Sequence, residues 1–423
     1  MSIPTEIANT VVDPKAYSEG VKLDAAFTML RRDMPFARAE PDDVNPFWLV
    51  TKHADIMAVE SQPAIFHNGD RPTVLSNKEG EQFVKAVTGG EANLIRSLVS
   101  VDGDEHKALR GVGFPAFVPK KVGALEADIR VIAREFVDRM IAMGPECDFA
   151  KDVAFLYPLR VIMTVLGVPR EDEAFMLKLT QELFNANDPD LSRDATASTP
   201  LEIAQSLQQT MIDLENYFEV VTTEFRAHPR DVVNSVIANA MINGEYLNRR
   251  QLMGYYIIAA TAGHDTTSNT IAAGFWALAE RPDVFRQIKN DPSLVGGFIE
   301  ESIRWATPVK HFMRSATADT EVAGQKIAKD DWLMLSYHSA NRDETVFDKP
   351  FEFDITRKFK QQLAFGYGPH VCLGQHLARL EMRILAEEIL SRVKSFELAG
   401  VPQRTISNFV CGPKSVPVRF TVN

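Results

Sequence analysis

The chain has 423 residues, 45% of them hydrophobic, with a formal charge of −11 at pH 7 and three cysteines. That charge argues against a nucleic-acid binder, which needs a concentrated excess of Lys and Arg, and Cys147, Cys372 and Cys411 are too few and too scattered for a disulfide framework. The first nine residues carry neither a basic run nor an apolar stretch of signal or anchor length, so a cytoplasmic protein that does not enter the membrane is expected.

Length alone suggests two or three domains, yet no linker, repeat or charge block interrupts the sequence, and one domain over 1–423 is expected. In chain order, alternation predicts a strand at 47–51, and the glycines of 69–91 predict irregular loop with a short helix. Apolar residues at three- and four-residue spacing predict helices over 125–143, 171–185 and 204–228. The longest helical pattern runs from an N-cap at Asn248 to Glu280, just before Pro282. At about 1.5 Å per residue it spans on the order of 50 Å, and its apolar character on nearly all sides makes it central and buried. Ala262-Gly263-His264-Asp265-Thr266-Thr267 lies in its middle. This is poor helix material whose hydroxyls can bond the preceding turn, so a kink is expected there. Strands follow at 321–327 and 332–336, then a helix at 377–393 and a strand at 416–422. The class is mainly α with a minor β region.

Near the end, Phe365-Gly366-Tyr367-Gly368-Pro369-His370-Val371-Cys372-Leu373-Gly374 delivers a cysteine to the start of the 377–393 helix. Gly366, Gly368 and Gly374 allow positive φ, so the loop can curl round the sulfur and turn amide N–H groups toward it. The helix start adds partial positive charge. Together these should lower the thiol pKa, as an axial thiolate on iron requires. Two other readings exist: a buried packing cysteine, or zinc held with His370 and His376, for which nothing nearby supplies a fourth ligand.

The loop resembles the haem-binding signature of the cytochrome P-450 superfamily, with Phe365, Gly366, Gly368, His370, Cys372 and Gly374 in the matching places. The resemblance implies a helical prism around a buried haem b, with Cys372 on the iron. It further implies that Ala262 and Gly263 give O₂ room, that Thr266 hydrogen-bonds the bound oxygen, and that Asp265 links the site to a proton source. Glu301 and Arg304, at i,i+3 spacing, would by default form a surface salt bridge. In the family such a pair is buried and fixes the loop, and the resemblance implies Arg357 as its third member. His106, Arg110, Arg314 and His370 are implied to meet the haem propionates. Lys107, Lys120, Lys121, Arg379 and Arg383 would form a basic face that steers an acidic iron-sulfur ferredoxin, supplied by its reductase, toward the thiolate side.

A closer likeness, to the bacterial α-terpineol hydroxylase family, rests on Ala262 to Thr267, Pro308-Val309-Lys310-His311-Phe312-Met313-Arg314, Ser339-Ala340-Asn341-Arg342-Asp343-Glu344 and Asn408-Phe409-Val410-Cys411-Gly412-Pro413-Lys414. Ile258, Thr261, Ala262, Val309, Phe312 and Val410 are the expected substrate contacts. They offer bulk and apolar surface without fixed charge, and apart from Lys310 no cation is placed to hold a carboxylate. A monoterpenoid or an alkylbenzene such as p-cymene is therefore the expected substrate of a haem-thiolate monooxygenase, with steroids or fatty acids as the larger alternatives. A haem sensor or carrier that does not activate O₂ is the other class, and such a protein has no use for the Asp265-Thr266 pair.

Overall fold

Trp332–Ser336 is buried at every position, and its side chains divide between two cores. Trp332 and Met334 pack with Phe47, Leu49 and the N-terminal helices, whereas Leu333 and Leu335 pack with Val50, Ile56 and Phe66. A strand covered on both faces reads as an unbroken apolar run. The computed structural model describes residues 2–358 and 361–423. In its five-stranded sheet the order is Phe36–Ala39, Phe47–Val50, Trp332–Ser336, His311–Ala316 and Phe66–His67. Only the pairing of Phe47–Val50 with Trp332–Ser336 is parallel. A second sheet joins Val393–Leu398, Pro417–Val422 and Glu146–Asp148.

The remainder is mostly helical and holds the largest apolar core. The expected helices appear as Glu126–Ala142, Glu173–Phe184, Pro200–Ala227 and Gln375–Arg392. Pro200–Ala227 begins four residues before the expected 204, because Thr199 and Glu202 form a capping box with Pro200 in the first turn. The 321–327 pattern is corrected from one strand to a hairpin, Thr320–Val322 and Gln325–Ile327. Its reversal lies at Ala323 and Gly324, which take φ of 50° and 74°. Within 69–91 the helix Lys78–Thr88 is capped by the Asn77 side chain.

The central helix starts at Asn248, whose side chain caps Gln251 N–H. It divides into Arg249–Ala262 and Asp265–Ala279. The hydroxyls of Thr261, Thr266 and Ser268 donate to the carbonyls of Ile257, Ala262 and His264 at 2.7, 2.8 and 3.0 Å. Side chains thus compete for the carbonyls of the ladder where the helix breaks.

Candidate active site

Cys372 lies in the turn between Gly368–His370 and Gln375–Arg392, and its N–H donates to Phe365 O at 2.8 Å. Gly366 and Gly368 take φ of 70° and 67°, and a Cβ on Gly368 would sit 2.4 Å from Glu60 O. Gly374 corrects the expectation, since its φ is −84°. No atom lies within 4 Å of where its Cβ would be. The low thiol pKa is also corrected. Burial raises it, opposed by the Gly374 and Gln375 amides and by the charges of Arg110 and Arg379. Deprotonation therefore has to come with metal binding.

Four groups that can carry positive charge gather beside this loop. The rings of His106 and His370 stack with centroids 3.9 Å apart. Arg110 donates to Val371 O at 2.8 Å, and burial, with Arg314 and Arg110, lowers the His370 pKa against the opposing pull of Asp102. Burial, then His370 and Arg110, hold His106 down to about 4. Arg314 also reaches Glu60 Oε1 at 2.9 Å, and Tyr337 donates to the same oxygen at 2.6 Å. Phe365 lies under the Arg379 guanidinium, 4.6 Å from ring centroid to Cζ.

The central helix has a stripe that is less buried than its surroundings. Residues 252–257 and 267–272 are buried, but Ile258, Ala259, Ala262, Gly263 and Thr266 keep exposed surface. At i, i+4 and i+8 spacing these share a face. Thr261 is off it and buried, and Val410 is equally buried, which corrects the place of both among the contacts. Gly263 also differs from expectation, because its Cβ would run into Ile162 Cγ1 at 2.7 Å. Its missing side chain lets Leu156–Leu166 approach. Val309 and Val410 pair as a bridge, and Phe312 packs edge-on to Phe409 at 5.5 Å. Lys310 is buried with Nζ on Ala306 O at 2.9 Å.

Glu301 and Arg304 are buried and joined at 2.8 and 2.6 Å, with Arg357 Nε 3.2 Å from Glu301. Arg304 also donates to Asn341 O and Pro350 O at 2.9 Å each. The basic face is largely self-compensated. Arg379 pairs with Glu300, Arg383 with Glu126 and Glu387, and Lys107 with Asp104, while Lys120 and Lys121 stay exposed. Val122, Ile299, His376 and Arg379 line a groove there of about 340 Å³. Among the described residues no group of three or more His, Cys, Asp or Glu could hold a metal ion.

An apolar stripe, a thiol ringed by amides, a space at Gly374 and four groups able to meet carboxylates fit a haem with its propionates. The family model for cytochrome P450 matches residues 70–420. The chain belongs to the cytochrome P450 family. It is 44% identical over 421 residues to cytochrome P450-terp of a Pseudomonas species, covering 99% of this chain and 98% of that one. To linalool 8-monooxygenase of Pseudomonas putida it is 33% identical over 410 residues, 96% and 97% of the two chains. The crystal structure of CYP108D1 from Novosphingobium aromaticivorans superposes with a TM-score of 0.92 at 45% identity, covering all of both chains. This cytochrome P450 is a haem-thiolate monooxygenase, and no described helix is long and apolar enough to cross a membrane.

Two acids near the site were missed from the sequence. Glu60 is buried under the cysteine loop, and Glu381 is buried on Gln375–Arg392 with Oε2 unpartnered. Burial raises both carboxyls. Neither sits in a recognisable motif, although an acid at a core-facing position of a helix pattern is a usable signal.

Proposed function

We propose that this monooxygenase hydroxylates a compact, neutral, cyclic hydrocarbon, a monoterpenoid or an alkylbenzene such as p-cymene, at a benzylic, allylic or methyl carbon. The observation that carries this reading is the half-buried stripe of Ile258, Ala259 and Ala262, which bears no charge. A ligand against it is held by burial, at about 25 cal/mol per Å² of apolar surface. Lys310 does not favour a carboxylate ligand, because its ammonium is committed to Ala306 O.

Haem bound through Cys372, with His106, Arg110, Arg314 and His370 toward its propionates, would supply the redox chemistry that activates O₂. One oxygen atom enters the substrate and the other leaves as water, which takes two electrons and two protons. Thr266 already donates its hydroxyl proton to Ala262 O, so it offers a lone pair and holds a proton near the stripe as an acceptor. Asp265 is the proton donor, for burial lifts its carboxyl to about 7. Electrons come from an iron-sulfur ferredoxin that meets the groove beside Lys120 and Lys121, and the enzyme works in the cytoplasm.

Dissociation constants for p-cymene, α-terpineol, a medium-chain fatty acid and a steroid, read from the haem spectrum, test the substrate class. Either of the first two should bind more tightly than both of the last two, and the reverse order would remove the small-cyclic reading.

A further inference from the structure

Thr307 ends the helix Val295–Ala306 in the left-handed region, at φ 37° and ψ 65°, with no exposed surface. Glycine or asparagine is the usual residue at such a place, and a β-branched side chain there is strained. The residue before a proline, here Pro308, is moreover ordinarily extended. A conformation of this kind persists only where its surroundings hold it. The hydroxyl supplies the hold. It donates to Arg304 O at 2.7 Å and accepts from Asn341 Nδ2 at 2.8 Å. Asn341 is equally buried, and its Oδ1 accepts from Leu363 N–H at 2.7 Å.

The two ends of this link lead to opposite sides of the site. From Thr307 the chain runs through Pro308, whose carbonyl accepts from Cys411 N–H at 3.0 Å. It continues to Val309, which bridges Val410, and to Phe312. From Leu363, whose carbonyl accepts from Gly366 N–H at 3.0 Å, the chain runs to Phe365, whose carbonyl accepts from Cys372 N–H at 2.8 Å. One asparagine side chain thus joins the base of the apolar wall at Val309 and Phe312 to the loop that carries the cysteine.

A ligand held by burial alone has no polar anchor to fix which of its carbons is presented for oxidation. Its placement follows the distance between the wall and the cysteine loop. We propose that Thr307 and Asn341 are positioning residues that set this distance, and with it the carbon of the substrate that is hydroxylated. The inference rests on the reading of a compact hydrocarbon held by burial and gives that reading a source of regioselectivity. If Thr307 merely ended a helix, glycine would serve as well, since it takes the same φ without strain.

Two substitutions separate the possibilities. Thr307→Ser keeps the hydroxyl, whereas Thr307→Gly suits the backbone and removes the hydroxyl. In the holoenzyme, hydrogen exchange at the Leu363 amide, read by mass spectrometry, should match the parent in Thr307→Ser and quicken about fivefold in Thr307→Gly, the worth of one hydrogen bond. With p-cymene as substrate, the ratio of methyl to isopropyl hydroxylation should be kept in Thr307→Ser and shift by a similar factor in Thr307→Gly. Parental exchange in Thr307→Gly, an unmoved product ratio, or equal change in both variants would overturn the proposal. Should the glycine variant take up no haem, the parent decides: saturating p-cymene, packed against the wall, should slow exchange at Leu363, and an unmoved rate counts against the proposal. Failure of the parent to hydroxylate p-cymene, with exchange in the variants as stated, would instead remove the substrate reading and leave the joint between wall and loop intact.

Discussion

At Cys372 burial and local charge pull in opposite directions. The amides of Gly374 and Gln375, with Arg110 and Arg379, favour the thiolate, yet burial outweighs them and leaves a thiol. Iron coordination is then what makes the sulfur anionic, and an alcohol cannot take its place. Cys372→Ser should abolish the red-shifted absorption of the reduced carbon monoxide adduct, and survival of that band would disprove the assignment. Thr266 is a subtler case, since its hydroxyl is already tied to Ala262 O at 2.8 Å. Removing it frees that carbonyl and deletes an acceptor, but leaves the apolar stripe in place. Thr266→Ala should bind substrate as the parent does, while product per electron drops about tenfold and hydrogen peroxide rises. Peroxide assay alongside product analysis checks this.

The strongest ties between elements are made by buried charge. Glu301 accepts from Arg304, from Arg357 and from the Asp354 N–H at 2.9 Å. It thereby holds Val295–Ala306 against residues 341–357. Neutralising Glu301 leaves two guanidinium groups with Asp354 as their remaining nearby countercharge. Glu301→Gln should therefore cost about 3–5 kcal/mol, seen as a lower melting temperature and easier haem loss. The sequence made this pair visible only through the family likeness, because i,i+3 charges are ordinary on solvated helices. Elements themselves were more legible: the helices at 125–143 and 377–393 come from periodicity alone, and the strand at 332–336 is there, although it is an unbroken buried run and not the alternation expected. Legibility failed where geometry depends on partners. Gly374 looked like a residue of positive φ, Thr261 looked like a pocket wall, and 321–327 looked like one strand although Ala323-Gly324 turns inside it. His264 was quoted within its motif but given no role, since its contacts with Phe155 O and Thr180 Oγ1 are made by segments remote in sequence.

Across the whole molecule, polar groups join segments that are remote in sequence. His311 is one such joint. Leu75 N–H donates to its Nε2 at 3.0 Å, and its Nδ1 lies 3.0 Å from Asn408 O. Both neighbours are satisfied only by the neutral ring, and burial holds it down to about 4. A histidine whose folded pKa is depressed below about 6.5 contributes stability that is full above that value and lost as pH falls toward the folded pKa. The destabilisation caused by His311→Gln should therefore be about 2 kcal/mol smaller at pH 5 than at pH 7. Paired denaturation curves at the two pH values measure it, and an unchanged gap would remove His311 as an acid-sensitive joint. The anchoring of Arg110 on Val371 O carries a consequence for biosynthesis. A ribosome releases the segment around Arg110 long before the cysteine loop, at about 5–20 residues per second. For that interval the nascent chain holds a cationic pocket wall with no thiol opposite it, so stable haem capture has to wait until the helix Gln375–Arg392 has emerged and docked. Nascent chains arrested ahead of Cys372 should retain no haem through gel filtration, and those arrested well beyond Arg392 should retain it.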